Sequence, residues 1–230
     1  MGKFINIAID GPSGAGKSTI SKVIASNLGF VYIDTGALYR MIGLFAFEKG
    51  IELEKCNKII PYLEEIKLDI KFEKKGQKFF LNDRDVTSDI RKNEISMYAS
   101  KVSAVKEVRD FLFDTQRKFA KENNCIMDGR DIGTVILPWA DIKIFLTASV
   151  EDRAKRRFEE LIKKGENVSY EQILEDVKKR DYNDTNRDIA PLKPAKDSII
   201  VDTTGNTFEK SIDIIEKIIR ENIKDEEVYV

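Results

Sequence analysis

The sequence predicts an α/β fold: a five-stranded parallel sheet flanked by helices, with a small antiparallel β insertion. Three observations predict it. Five short apolar runs read as buried strands, segments of helical period lie between them, and one stretch alternates apolar with polar residues instead. Phe4 to Ile9 is the first strand. Ile20, Val23, Ile24 and Leu28 then share one face of a helix running from Ser18, and Gly29 is its stop. Phe30 to Ile33 is the second strand. In the alternating stretch, Leu68, Ile70 and Phe72 interleave with polar residues, Lys74-Lys75-Gly76 turns, and Lys78 to Leu81 returns. That is a hairpin with one buried face, and a third short strand is expected near Asp85 to Thr87. The insertion is placed at residues 66–90, within a core made of residues 1–65 and 91–230. Cys125 to Met127, Lys143 to Leu146 and Ser198 to Val201 complete the parallel strands. Ser169 with Gln172 is a capping box opening a helix, and Phe208, Ile212, Ile215 and Ile219 mark a closing one.

Composition excludes several classes of function. Apolar residues are 42% of the 230, enough for a sizeable core. Lys+Arg is 39 against Asp+Glu 40, so the basic footprint that nucleic acid requires is missing overall. The chain has no His, which removes His general-base triads and His-ligated zinc together. Cys56 and Cys125 stand apart without a motif and read as free thiols of a reducing compartment. The apolar run Met41 to Phe47 is far short of the ~20 residues a membrane span needs. The first residues do not follow a signal-peptide pattern, and the acidic stretch Asp225-Glu226-Glu227 reads as a frayed end. A cytoplasmic protein without membrane or nucleic-acid partners is expected.

Gly11-Pro12-Ser13-Gly14-Ala15-Gly16-Lys17-Ser18-Thr19 matches the phosphate-binding pattern G-x-x-x-x-G-K-[ST], between a strand and a helix as that pattern requires. Glycines let successive N–H groups curl inward, and the helix N-terminus adds partial positive charge, so the loop wraps an anionic phosphate. Lys17 supplies a cation for β- and γ-phosphates, and Ser18 supplies a hydroxyl for Mg²⁺. No guanine-reading Asn-Lys-x-Asp is present, which disfavours a GTPase. Two further strands end in Asp-containing turns, Asp34-Thr35-Gly36 and Asp128-Gly129-Arg130-Asp131. Strand C-termini of an open parallel sheet face the ligand crevice. Asp128 is thereby placed to hold a Mg²⁺-bound water, while either Asp alone is also an ordinary helix cap.

Together, Gly11 to Thr19, Asp34-Thr35-Gly36-Ala37-Leu38-Tyr39-Arg40, Asp128-Gly129-Arg130-Asp131-Ile132-Gly133-Thr134 and Arg180-Asp181 through Arg187 resemble the bacterial cytidylate kinases, P-loop nucleoside monophosphate kinases. The resemblance covers the chain almost end to end, and the antiparallel insertion looks like that family's extended nucleotide-binding domain. It implies ATP as phosphoryl donor, Mg²⁺, CMP and dCMP as acceptors, and a short helical lid at about 151–168. Arg40, Arg130 and Arg187 would hold the acceptor phosphate, beside Thr35. Ser100, Arg109 and Asp131 would read the cytosine, and Arg180 and Asp184 the sugar hydroxyls. Lys17, Arg130, Arg153 and Arg157 would serve the transfer itself, with Arg156 beside them on the lid helix. Where many members have Gly-Lys-Gly-Thr, this chain has Gly-Lys-Ser-Thr, so either Ser18 or Thr19 is the metal-side hydroxyl.

Residue chemistry agrees. Arg binds phosphate oxygens through a planar fork that Lys lacks. Arg153 and Arg157 fall one helical turn apart, and Arg180, Asp184 and Arg187 form an i, i+4, i+7 ladder. Such ladders also occur as solvated, salt-bridged faces. For Ser100 and Arg109 only the resemblance suggests a role. A monomeric enzyme is expected. The rivals are a kinase for another acceptor, such as UMP or AMP, and a non-catalytic nucleotide-binding regulator.

Overall fold

A computed structural model describes residues 4–73, 76–163 and 165–223. Lys74 and Lys75 of the expected turn, and Asp225-Glu226-Glu227, lie outside the described residues. The chain divides into two compact units, Met1–Ile33 with Arg117–Val230, and Asp34–Gln116.

The first unit contains β1 (Asn6–Asp10), β6 (Cys125–Gly129), β7 (Ile142–Thr147), β8 (Ile199–Asp202) and most of β2 (Val31–Asp34). They form one five-stranded parallel sheet in the order β2-β6-β1-β7-β8. The five apolar runs are these strands, with ends moved by one or two residues. β1 lies in the middle and is buried at all five positions. That is why it reads as a continuous apolar run rather than an alternation. Helix α1 (Lys17–Leu28) buries Ile20 and Ile24. Gly29 ends it in the left-handed conformation, where its N–H meets the carbonyls of Ala25 and Ser26. Helix α7 (Phe208–Asn222) adds Ile215 and Ile219, both fully buried, to the core of Ile5, Ile7, Ile9 and Ile144. Helices α5 (Val150–Lys163) and α6 (Tyr170–Asn186) close a small apolar cluster of their own around Ala154, Leu161, Ile173 and Val177. Ser169 caps α6 by accepting from the N–H of Gln172. The Gln172 side chain does not complete the box but donates forward to Asp176.

The second unit has a separate core. The antiparallel sheet β3 (Leu68–Glu73), β4 (Gly76–Leu81) and β5 (Arg84–Asp85) is the expected hairpin with its short third strand. Asn82 and Asp83 both take positive φ, 48° and 65°, in the two-residue loop joining β4 to β5. This is the mirror-image turn that the right-handed twist of a hairpin favours. Phe79 and Leu81 point into a cluster shared with Leu38, Met41, Ile42 and Phe45 of α2 (Thr35–Glu48) and with Ile95 and Val102 of α3 (Asn93–Val102). The expected buried face of the hairpin is thus present, and α2 covers it. A 3₁₀ stretch, Leu53–Glu65, adds Cys56, Ile59 and Leu63. Helices α2 and α3 pack so closely at Gly43 that a Cβ there would lie 2.9 Å from the Ala99 nitrogen and 3.1 Å from the Tyr98 Cβ.

Gly43→Ala is therefore expected to destabilise the fold. Overpacking costs about 1–3 kcal/mol, against a helix-propensity gain of about 1 kcal/mol. Urea denaturation should show a lowered midpoint with an unchanged slope. A raised midpoint would mean that α2 and α3 can separate without cost.

Candidate active site

In the first unit, β1 runs into the Gly11–Gly16 loop and the loop into α1. Gly11 has φ 149°, and a Cβ on it would stand 1.9 Å from the Leu146 carbonyl oxygen of neighbouring β7, so only glycine fits. Gly14 and Gly16 also take positive φ, at 77° and 87°. Gly16 is the N-cap of α1 and has no side chain to satisfy the first N–H groups. Such donors, with the positive end of the helix, suit an anion.

Lys17 is 5% exposed, and its Nζ donates to the Pro12 carbonyl at 2.7 Å, folding back across the loop. Burial holds its pKa well below the ordinary lysine range. Arg130 and Arg180 push it the same way, while Asp128 and Asp10 oppose them. Ser18 Oγ donates to Asp128 Oδ2 at 2.8 Å, and the Tyr32 hydroxyl donates to Oδ1, also at 2.8 Å. Asp128 thus stands beside the loop, as its strand-end position predicts. Of the two candidate hydroxyls, it is Ser18 that meets this carboxylate.

Arg130 donates through Nε to Asp184 Oδ2 at 2.8 Å. Burial alone would raise the pKa of Asp184, but Arg130, Arg180 and Arg187 hold it below the ordinary value. The expected ladder on α6 is therefore altered. Asp184 accepts from Arg130 of another element rather than from a same-face partner on α6. Arg187 falls past the end of α6 in extended conformation, out of helical register. There its guanidinium lies 3.3 Å from Asp131 Oδ1, and its Nε donates to the Ala190 carbonyl at 2.7 Å. Arg180 Nε is buried with no hydrogen-bond partner among the described residues. Burial, Arg130 and Arg157 together press the Arg180 pKa down to about 10.

Arg153 and Arg157 share a helix face in sequence but not a role. Arg153 is 3% exposed, and its guanidinium is consumed inside the fold. It donates to the carbonyls of Ala148 and Ser13, at 2.9 and 3.0 Å, and pairs with Asp181 at 2.6 Å. It braces the phosphate loop from behind. Arg157 pairs with Glu160 at 2.9 Å, and Arg156 donates to the Thr203 carbonyl.

The second unit carries the other candidates. Asp34 caps α2 by accepting from the Ala37 N–H at 2.9 Å, and its second oxygen accepts from Arg91 at 2.8 Å. Thr35 is buried in the first turn. Arg40 donates to the Ile90 carbonyl and to Ser96 Oγ, at 3.0 and 2.6 Å. Arg109 is buried, donates to the Ser103 carbonyl at 3.2 Å and lies 5.8 Å from the centre of the Tyr39 ring. Ser100 is half-buried on α3.

The family model for cytidylate kinase matches residues 7–223. The chain belongs to the cytidylate kinase family. It is 50% identical over 224 residues to a cytidylate kinase of Caldicellulosiruptor bescii, covering 97% of this chain and 99% of the relative. It is 49% identical to the cytidylate kinase of Carboxydothermus hydrogenoformans, covering 95% and 99%. Among solved structures, an uncharacterized protein from Eubacterium ventriosum aligns with a TM-score of 0.53 at 16% identity, covering 95% of this chain and 99% of that one, a likeness of fold alone. Membership in the cytidylate kinase family makes the chain a kinase. Among the described residues no helix is long and apolar enough to cross a membrane. Cys56 and Cys125 are free and buried, and burial pushes their thiols up to about 11 and about 12.

Sequence reasoning passed over Asp10. The last residue of β1 is 3% exposed, and its carboxylate accepts from the N–H groups of Ile132 at 2.8 Å and Gly133 at 2.7 Å. One signal was available: an acid closing a run that is otherwise buried in the middle of a sheet. Burial raises its pKa from 3.8 to about 7. The two N–H groups lower it, Asp131 raises it and Lys17 lowers it.

The carboxyl therefore holds its proton more tightly folded than unfolded. Its contribution to stability is full below pH ~4, where both states are protonated, and is lost as pH rises through about 7. At about 1.4 kcal/mol per pKa unit, the loss is at most about 4 kcal/mol. Asp10→Asn lacks this titration. The unfolding free energy of wild type minus that of the variant should fall between pH 4 and 7, and a constant difference would contradict the assignment.

Proposed function

We propose that this chain transfers the γ-phosphoryl group of ATP to CMP or dCMP, giving ADP and CDP or dCDP. One observation carries the reading: on a glycine loop ending in an N-cap without a side-chain cap, Lys17 folds back to the Pro12 carbonyl at 2.7 Å and feels Arg130 and Arg180, while Ser18 meets Asp128 at 2.8 Å, in a chain of the cytidylate kinase family. Crowded, desolvated cations repel one another, and a phosphate among them relieves the repulsion. The relatives' name supplies the acceptor class.

In the proposed mechanism an acceptor phosphate oxygen attacks the γ-phosphorus in line. A new P–O bond forms as the bond to the β-bridging oxygen breaks, and ADP leaves. Gly11 to Thr19 hold the donor phosphates, and Lys17 shifts from the Pro12 carbonyl to phosphate oxygens. Arg40, Arg130 and Arg187 hold the acceptor phosphate beside Thr35. Ser100, Arg109 and Asp131 read the base, and Arg180 and Asp184 the sugar. Arg157 serves the lid at about 151–168, while residues 66–90 extend the nucleotide-binding part. For Arg153, the contacts to Ser13 and Asp181 support bracing of the loop over direct contact with phosphate. Ser18 and Asp128 suit Mg²⁺, because a hydroxyl and a carboxylate oxygen converge at 2.8 Å and both are the hard oxygen donors this ion takes, through water in the case of Asp128. The ion would supply charge neutralisation on the donor phosphates. Balanced charge and two buried thiols support a cytoplasmic enzyme acting on small molecules, and a monomer is proposed.

A coupled ADP-release assay with CMP, dCMP, UMP, AMP and no acceptor tests the reading. Release with CMP and dCMP far above the rest is expected. A preference for UMP or AMP would favour the other acceptor class, and no release at all a nucleotide-binding regulator. Lys17→Ala should keep the fold, by circular dichroism, yet lose on the order of 10²-fold or more in kcat. A kcat within a few-fold of wild type would sink the loop's catalytic role.

Asp131→Asn separates base reading from scaffolding. Cytosine offers an amino donor where uracil offers a carbonyl. An ionised carboxylate accepts only, whereas an amide can also donate. The base-reading role predicts that CMP activity falls and the CMP:UMP ratio of kcat/KM, which such pairing can hold near 10⁴, collapses. If Asp131 serves only to hold Arg187, both activities fall with the ratio preserved.

A further inference from the structure

We infer that Asp10 is a positioning residue for the acceptor side of the transfer: its carboxylate sets the peptide that follows Asp131 and so aims the Asp131–Arg187 pair. The inference rests on the acceptor roles proposed above for Asp131 and Arg187.

The geometry is specific. The N–H of Ile132 belongs to the peptide plane joining Asp131 to Ile132. Asp10 Oδ1 takes that N–H at 2.8 Å, and Oδ2 takes the next one, of Gly133, at 2.7 Å. At the other end of the same plane, the Asp131 carbonyl accepts from Val135 at 2.8 Å and from Ile136 at 3.2 Å. The plane is thus pinned at both ends. Asp131 itself, with φ −146° and ψ 24°, is the N-cap of the helical turn Ile132–Ile136, whose bonds fix the carbonyl side of the plane. The first N–H groups of a helix have no partner within it, and Asp10 supplies the acceptors for the two that follow Asp131. Once the plane is set, the Asp131 side chain stands where Arg187 lies 3.3 Å from its Oδ1.

Asp10 can do this because of where it sits. It closes the central strand, whose backbone is paired on both sides with β6 and β7, and the next residue is Gly11 of the phosphate loop. Among the described residues its carboxylate accepts from the N–H groups of Ile132 and Gly133. Lys143 is nearby, since a Cβ on Gly133 would meet Lys143 Cδ at 3.2 Å and Asp10 Oδ2 at 3.4 Å. The Lys143 amine, however, is directed to the Pro138 carbonyl and to Asp197. A carboxylate offering two acceptors to two adjacent N–H groups is a clasp that no other side chain of this length reproduces. An amide keeps one acceptor and sets its own N–H₂ against the second N–H.

Asp10→Asn should therefore raise KM for CMP by about tenfold or more while KM for ATP stays within about twofold, measured well below the variant's melting temperature. Asp10→Glu keeps both acceptors but carries them one methylene further from the N–H groups of Ile132 and Gly133, and should shift KM for CMP in the same direction. It serves as the reporter if Asp10→Asn does not fold. A merely structural role predicts a lower melting temperature with both KM values unchanged in both variants, and that result overturns the inference, as does an equal rise in the two KM values. A wild-type enzyme that does not phosphorylate CMP would overturn the acceptor assignment and this inference together. An active wild type with unshifted variants would overturn this inference alone.

Discussion

The first unit is organised around mutual repulsion between buried cations. Burial and the charges of Arg130 and Arg180 press on buried Lys17, and burial, Arg130 and Arg157 press on Arg180. A bare charge away from water is costly, and Arg180, whose Nε has no hydrogen-bond partner among the described residues, is offset by the nearby charges of Asp184 and Asp181, while the others have fixed partners. Lys17 takes the Pro12 carbonyl and the field of Asp128. Arg130 takes Asp184, whose nearby charge more than offsets burial and keeps the guanidinium pKa raised. Arg187 takes Asp131, and Arg153 takes Asp181. The carboxylates are spread over β6, the turn after it and α6. The cations therefore tie those elements to the phosphate loop, and holding the site together and holding the fold together become one requirement.

This explains which parts were legible in the sequence. Strands buried on both faces show as apolar runs, and the Gly11–Thr19 pattern shows because its glycines are required by close backbone approach, as Gly11 against Leu146 demonstrates. The hairpin shows because one face meets α2 and the other meets water. Charge partnership is different. Asp184 lies four residues from Arg180 in the chain, and local spacing favours that pair. Tertiary packing gives its carboxylate to Arg130, 54 residues away. Helical periodicity likewise extends the ladder to Arg187, but the backbone leaves the helix at Asn186, and the side chain is then free to reach Asp131. Arg153 looks like a solvent-facing lid arginine until its three carbonyl and carboxylate partners are seen. Asp10 has no motif, because its partners are backbone N–H groups more than 120 residues away.

The second unit shows the same logic with less charge. Asp34 satisfies the first turn of α2 with one oxygen and Arg91 with the other, so a residue weighed between ligand and cap acts as a cap here. Its core takes Leu38 and Met41 from α2, Phe79 from β4 and Ile95 from α3. The antiparallel strands therefore do not stand alone. They are one layer of a core whose other layers are α2 and α3.

Chemistry of the proposed kind matches what such a chain has to offer. A hydroxyl acceptor would have to lose a proton during attack, and a histidine would be the common choice to take it. A phosphate acceptor is already an anion and carries its nucleophilic oxygen ready-made. The chain has no histidine, and the proposed reaction gives it no work. What the reaction does demand is two polyanions brought together against their own repulsion. Cations held at fixed positions by carboxylates and carbonyls meet that demand without reorganising at the moment of transfer. In that reading the costly burial of Lys17, Arg130 and Arg180 is offset in stability by Asp128, Asp184 and the loop carbonyls. Its return comes in the transition state, where the negative charge on the transferring group is opposed by cations already in place.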